Sequence, residues 1–85
     1  MKTSGELRAE DVANRGRSIY VKAIKAQVEP MHAGKMLVLE VESGDYEIDS
    51  NEDLAWERIE SRRPNGVFYL MRIGYPAAFF VGGQR

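Results

Sequence analysis

One stretch of this 85-residue chain, Gly34 to Asp49, constrains the fold more than any other. Apolar residues stand at every second position from Leu37 to Val41, and Tyr46 and Ile48 alternate with acidic residues further along. Alternation with a period of two is typical of strands that bury one face. The Ser43-Gly44 pair between the two runs suits a turn, because glycine takes a positive φ without steric cost. The stretch therefore predicts a β-hairpin.

Two registers fit this hairpin. A two-residue loop at Ser43-Gly44 pairs Val41 with Tyr46, whereas a three-residue loop with a bulge puts Tyr46 opposite Glu40. The first register is favoured because its buried faces match. It also sets Glu40 opposite Glu47, and facing like charges are unfavourable. We therefore expect an open, wetted outer face on the hairpin, or a basic partner that lies on it.

A long helix is predicted before the hairpin, from about Ser4 to Val28, with Pro30 ending it. Its apolar stripe has three- and four-residue spacing and consists of Val12, Gly16, Ile19, Tyr20, Ala23, Ile24 and Val28. Within this stripe Gly16 is either a weak point of the helix or a place of close packing.

A second helix and two strands are predicted after the hairpin. Ser50 or Asp49 would cap the helix, whose buried stripe is Leu54, Ala55 and Ile59 with Trp56 beside it. The segment 67–73 is apolar on both sides apart from Arg72, which predicts a central strand covered on both faces. A short last strand is predicted over 78–81.

The predicted fold class is α+β, with a long N-terminal helix followed by β-β-α-β-β in one small domain over 1–85 and flexible ends at 1–6 and 82–85. We expect a four-stranded, mostly antiparallel sheet in the order 2-1-3-4, with the helices on one face. The order 2-1-4-3, with a parallel central pair, is the alternative. Met36 and Val38 would then point to an uncovered apolar face. Such patches usually mark an interface, so we expect a homodimer.

Charge is nearly balanced, with 12 Lys+Arg against 13 Asp+Glu, but it is segregated. Bases without an intervening acid cluster in the first helix, and acids without an intervening base run from Glu40 to Glu57. The two blocks are either two solvated faces or complementary surfaces, within one chain or between two. The near-neutral total argues against a dedicated nucleic-acid binder.

Few residues are available for chemistry. The chain has no cysteine and one histidine, His32, which leaves no thiolate ligand and argues against a hydrolytic triad. No phosphate-loop or dinucleotide-binding glycine motif occurs. We predict no catalytic residue, no cofactor and no metal site. The chain shows neither an apolar leader nor a membrane-spanning run, so we expect a cytoplasmic protein without membrane contact.

Three segments carry a resemblance to a known group of proteins. They are Val41–Asp49 (VESGDYEID) preceded by Gly34-Lys35, then Arg62–Pro64 (RRP), and Arg72–Ala78 (RIGYPAA). The chain resembles a family of short bacterial proteins with this order of motifs, ending near Gly-Gly. The resemblance implies no established activity, cofactor or catalytic residue. It does imply genes beside toxin–antitoxin-like or protease-like genes, which favours a partner-binding role.

These observations lead to two functional hypotheses. The first is a non-enzymatic protein–protein interaction module, antitoxin-like in form, whose partner-binding residues are Glu40, Glu42, Glu47, Met36 and Val38. The alternative is a nucleic-acid-binding regulator that uses the basic face of the first helix, namely Arg15, Arg17, Lys22 and Lys25.

Overall fold

The computed structural model describes residues 9–75 and 78–83. The first helix begins as α1 (Ala9–Ile19), continues as a π-helical segment (Tyr20–Ile24) and ends as α2 (Lys25–His32). The remaining elements are β1 (Met36–Glu40), β2 (Tyr46–Asp49), α3 (Glu52–Arg62), β3 (Phe68–Arg72) and β4 (Ala78–Gly82). The α+β class and the order of elements are confirmed.

The four strands form one sheet in the order β2-β1-β3-β4, and every neighbouring pair is antiparallel. This confirms the order 2-1-3-4 over the order with a parallel central pair. The two central strands β1 and β3 are buried along almost their whole length. The strands β2 and β4 form the two edges of the sheet.

The hairpin exists, but its register differs from both predicted ones. Leu39 lies opposite Tyr46 and Val38 lies opposite Glu47, so β1 ends at Glu40 and a wider turn follows. The favoured register is off by two residues, and a shift of two leaves each side chain on the same face. The predicted contact between facing Glu40 and Glu47 is therefore wrong. Gly44 does take a positive φ of 80°.

The helices lie on opposite faces of the sheet, so the prediction that they share one face is wrong. Side chains of the first helix pack on one face, in a cluster of Val12, Tyr20, Ile24, Val28, Leu37, Leu39, Val41, Val67, Tyr69, Met71 and Ile73. Side chains of α3 pack on the other, in a cluster of Met36, Val38, Ala55, Trp56, Ile59, Phe68 and Leu70.

The reason for the two-sided cover lies in the strands themselves. Because β1 and β3 are apolar on both faces, a cover on one side would leave Met36, Val38 and Phe68 in water. The helix α3 removes these side chains from water by packing its short apolar stripe over them. Trp56, predicted to sit beside the stripe, is fully buried within it, whereas Leu54, predicted to belong to the stripe, is 43% exposed.

The π-helical segment keeps the first helix facing the sheet. Its buried residues Val12, Gly16, Tyr20, Ile24 and Val28 recur at every fourth position. In an α-helix of 3.6 residues per turn this repeat drifts by about 40° at each step. Between Tyr20 and Ile24 the helix widens, and the Lys25 N–H donates to the Tyr20 carbonyl five residues back. The wider turn rotates less per residue, which offsets the drift.

The ends of the elements differ from prediction in three places. Pro30 lies inside α2, which continues to His32, because a proline in the last turn removes only one helical hydrogen bond. The side chain of Asn51, rather than of Ser50 or Asp49, caps α3 by accepting the Asp53 N–H at 2.9 Å. Gly82, predicted to belong to a flexible end, is the last residue of β4. The predicted start of the first helix and the flexible ends 1–6 and 84–85 lie outside the described residues.

Gly16 is a point of close approach between α1 and the sheet. A Cβ atom at this position would lie 2.6 Å from Cδ1 of the Tyr69 ring, which is buried beneath the helix. We expect Gly16→Ala to lower the free energy of unfolding by about 1–3 kcal/mol through overpacking, although alanine is the better helix former. Urea denaturation followed by circular dichroism measures this. The control is Ser18→Ala on the exposed side of the same helix, and a Gly16→Ala protein as stable as the wild type would contradict the packing argument.

Candidate functional site

The predicted partner-binding residues do not form one surface. Met36 and Val38 are buried beneath α3, and Glu40 is only 3% exposed. Glu47 is half-buried and Glu42 is exposed. The prediction of an open acidic docking face is wrong, because α3 packs over the side of the hairpin that was expected to face a partner.

The acidic block of the hairpin is paired within the chain by arginines of α3 and its C-terminal cap. Arg58 Nε lies 2.8 Å from Glu47 Oε1, and Arg62 Nε lies 2.9 Å from Asp45 Oδ2. The hydrogen bond from Arg62, opposed by burial and aided by Arg63, lowers the pKa of Asp45 below its usual value. These arginines lie outside the basic block of the first helix, so the ion pairs do not join the two segregated blocks.

Glu40 closes the turn between β1 and β2. Its carboxylate accepts the Ser43 N–H at 2.9 Å and the Ser43 hydroxyl at 2.6 Å, and it also accepts the Val67 N–H at 3.0 Å. Burial alone would raise the pKa of Glu40, but these hydrogen bonds outweigh it and hold the pKa below its ordinary value. Gly66 leaves room for this arrangement, since a Cβ there would lie 2.6 Å from Cγ of Glu40.

An open groove of about 550 Å³ lies between the first helix and the end of β3. We call it the helix groove. Its helical wall consists of Arg17, Tyr20, Val21, Lys25 and Glu29. Arg17, Val21, Lys25 and Glu29 follow one another at intervals of four residues, which places them along one side of the helix.

The opposite wall of the helix groove consists of Tyr69, Met71, Gly74 and Tyr75. Gly74 turns the chain after β3 with a φ of 93°, a value that favours glycine. Tyr69 and Met71 belong to the buried core, whereas Tyr75 is 55% exposed at the rim. The wall therefore presents an apolar and aromatic surface opposite the charged side chains of the helix.

Within the groove, the Tyr20 hydroxyl donates a hydrogen bond of 3.0 Å to Glu29 Oε2. Burial raises the pKa of Tyr20, and the hydrogen bond to Glu29 and the charge of that carboxylate raise it further. The hydrogen bond therefore fixes the position of the Glu29 carboxylate on the helical wall of the groove.

The structure divides the four predicted nucleic-acid residues into two pairs. Arg15, Arg17, Lys22 and Lys25 are all exposed on the first helix. Arg17 and Lys25 line the helix groove, and Arg15 and Lys22 do not.

A second exposed feature lies where β3 ends and β4 begins. The Arg72 guanidinium carbon lies 5.6 Å from the centre of the Tyr75 ring and 5.7 Å from that of Phe79. Both distances fall within the range of cation–π contacts. Tyr75 and Phe79 are nonetheless 55% and 54% exposed. We call these three residues the Arg72 patch.

Sequence reasoning missed both features. Each joins residues that are close in space only after the sheet has formed, and the Arg72 patch spans the turn between two strands. The one available signal was the presence of aromatic residues on either side of that turn.

No family model matches the chain, and no similar protein is found among curated proteins or solved structures. Among the described helices, none is long and apolar enough to cross a membrane. In the described ranges, no three acidic or histidine side chains are grouped in a way that could hold a metal ion. His32 instead lies beside Lys35, with 3.2 Å between Nδ1 and Nζ.

Proposed function

We propose that this chain is a non-enzymatic protein-interaction module that binds a partner protein through the Arg72 patch and the adjoining edge of β4. The observation that carries the proposal is an arginine within cation–π distance of two aromatic rings that both remain more than half exposed. Arginine and aromatic residues are enriched among the side chains that dominate binding energy at interfaces.

The edge of the sheet beside the patch supports the same function. An edge strand presents unpaired backbone N–H and C=O groups, and proteins usually protect such edges with charged side chains. The edge strand β2 carries Glu47 and Asp49. The edge strand β4 has the sequence AFFVG and carries no charge. A partner segment in an extended conformation would add to β4 as a further strand and place an apolar side chain near Phe79.

In this proposal the partner is the protein encoded by an adjacent gene, and the chain would bind it as an antitoxin binds its toxin. The predicted route to a homodimer, through the sheet face of Met36 and Val38, is closed because α3 covers that face. A homodimer through the β4 edge is a second form of the proposal. Both are proposals that the uncharged sequence of the edge strand β4 and the exposed ring of Phe79 support, and both require Phe79 to be accessible.

Co-purification with each adjacent gene product tests the proposal. We expect a stable complex with one of them that Phe79→Asp abolishes, because a carboxylate would be buried at the interface. Leu54→Asp is the matched control, since Leu54 is an exposed apolar residue on α3, away from β4. Urea denaturation establishes that both variants fold. Failure of every adjacent product to bind, together with a monomer in sedimentation at high micromolar concentration, would contradict the proposal.

A nucleic-acid-binding regulator remains the second candidate, and the exposure of Arg15, Arg17, Lys22 and Lys25 favours it. Binding to random duplex DNA at low salt should then weaken steeply as salt increases. Exchange of all four residues for glutamate should abolish it, whereas Phe79→Asp should leave it unchanged. Absence of any binding at low salt would exclude this candidate.

A further inference from the structure

We infer that the helix groove is a binding site for a small planar monoanion, an aromatic ring that carries one carboxylate. The inference goes beyond the proposed function, because the ligand is a small molecule and the cations that would bind it lie on the first helix. The helix groove and the Arg72 patch share Tyr75. Its volume of about 550 Å³ falls in the range of small-molecule sites.

The charges of the groove select for an anion. Arg17 and Lys25 stand on the same wall, with the exposed apolar Val21 between them. The two cations contribute two positive charges and Glu29 one negative charge, which leaves the groove with a net charge of +1. A single carboxylate complements this charge, whereas a polyanion would also approach Glu29, whose carboxylate repels it.

The other lining residues of the helix groove favour a ligand that is flat and apolar. Tyr75 presents an exposed ring at the rim, and Tyr69 and Met71 form an apolar surface deeper in the wall. A planar aromatic ligand would stack on the exposed ring of Tyr75 while its carboxylate reaches the cations of the helix. Gly74 adds no side chain to the wall, and a Cβ there would meet nothing closer than 4.0 Å.

The helical wall carries an independent indication of a binding site. Tyr20 and Val21 begin the π-helical segment. Segments of this kind are rare and occur frequently at functional sites. Here the segment turns Tyr20 into the core and holds its hydroxyl on Glu29, which fixes the carboxylate to one side of the groove.

Titration of the ¹⁵N-labelled full chain with 2-naphthoate, followed by ¹H–¹⁵N NMR, tests the inference. We expect saturable shifts at Val21, Lys25, Gly74 and Tyr75, and none with neutral 2-naphthamide at equal concentration. Arg17→Ala/Lys25→Ala should weaken binding at least about tenfold through the loss of two charged contacts. Arg15→Ala/Lys22→Ala removes the same charge from the same helix outside the groove and should leave binding unchanged.

A second variant is expected to change the affinity for 2-naphthoate in the opposite direction. Glu29→Gln keeps an acceptor for the Tyr20 hydroxyl and removes the negative charge, so it should tighten 2-naphthoate binding by about threefold. Phe79→Asp should leave binding unchanged, which separates this site from the proposed partner surface. Equal binding of the acid and the amide, no saturable shift, or equal losses in the two double variants would each overturn the inference.

Discussion

Replacement of Trp56 by alanine is expected to lower the free energy of unfolding by about 3–5 kcal/mol, the usual cost of removing a large buried aromatic side chain. Trp56 is fully buried and meets the rings of Phe68 and Phe80 edge to face, with centroid distances of 5.1 and 5.4 Å. A domain of this size has a total stability of roughly 5–10 kcal/mol. The Trp56→Ala protein should therefore lose a large fraction of its total stability.

Urea denaturation followed by circular dichroism measures the loss. The control is Leu54→Ala, which truncates a residue on the same helix that is 43% exposed and should cost under about 1 kcal/mol. Trp56 is the single tryptophan, so its emission in the wild type also reports its burial directly. If Trp56→Ala lowered the free energy of unfolding no more than Leu54→Ala does, the placement of α3 over the sheet would be refuted. Emission typical of an indole in water would refute it as well.

Substitution of Glu40 by glutamine is expected to cost about 2–3 kcal/mol at neutral pH, because hydrogen bonds to a charged group are among the stronger ones. Its carboxylate accepts hydrogen bonds from Ser43 and Val67 and so joins the β1–β2 turn to the start of β3. A glutamine amide has one oxygen and would direct its NH₂ group at some of these donors.

The same residue makes stability depend on pH. Because the pKa of Glu40 is lower in the folded chain than its ordinary value of 4.5, the folded state favours the ionised carboxylate. Its contribution is fully present above that ordinary value and is lost as the pH falls through the lower folded-state pKa. We expect the Glu40→Gln protein to lose less stability than the wild type between neutral and strongly acidic pH.

Thermal unfolding at a series of pH values measures this difference. Glu57→Gln, an exposed position on α3, is the control and should keep the acid dependence of the wild type. Parallel stability curves for wild type and Glu40→Gln would show that the carboxylate contributes nothing to the acid sensitivity.

The order of elements could be predicted because each carries a clear local pattern. Alternation at Leu37 to Val41 indicated a strand, Gly44 indicated the turn, and the apolar segment after Gly66 indicated a central strand. The general preference for right-handed crossovers between parallel strands then left few sheet orders to consider.

The register and the placement of α3 could not be predicted from alternation. A shift of two residues keeps every side chain on its face, so the pattern cannot distinguish Val41 from Leu39 as the partner of Tyr46. The register follows instead from the hydrogen bonds of Glu40 within the turn. Likewise, the apolar character of both faces of β1 permitted either face for α3, and only the packing of Trp56 against Phe68 shows which one it takes.

The candidate sites were predicted only in part. The charge of Arg17 and Lys25 marks them in the sequence, but Tyr69 and Met71 opposite them belong to β3, and Tyr75 follows that strand, far along the chain. Conversely, the sequence predicts that Met36 and Val38 are exposed, because no pattern in it shows that α3 covers the second face of the sheet. In the structure both are buried.

Because helices cover both faces of the sheet, further growth of the sheet can proceed only sideways, and stacking of one sheet on another is blocked. Two copies joined along β4 would share one continuous sheet to which each copy contributes four strands, and a twofold axis would relate the two copies. The outer borders of that sheet would then be the β2 strands, whose carboxylates are held by Arg58. Such borders resist pairing with a third copy, so the assembly would end at two rather than extend into a fibre.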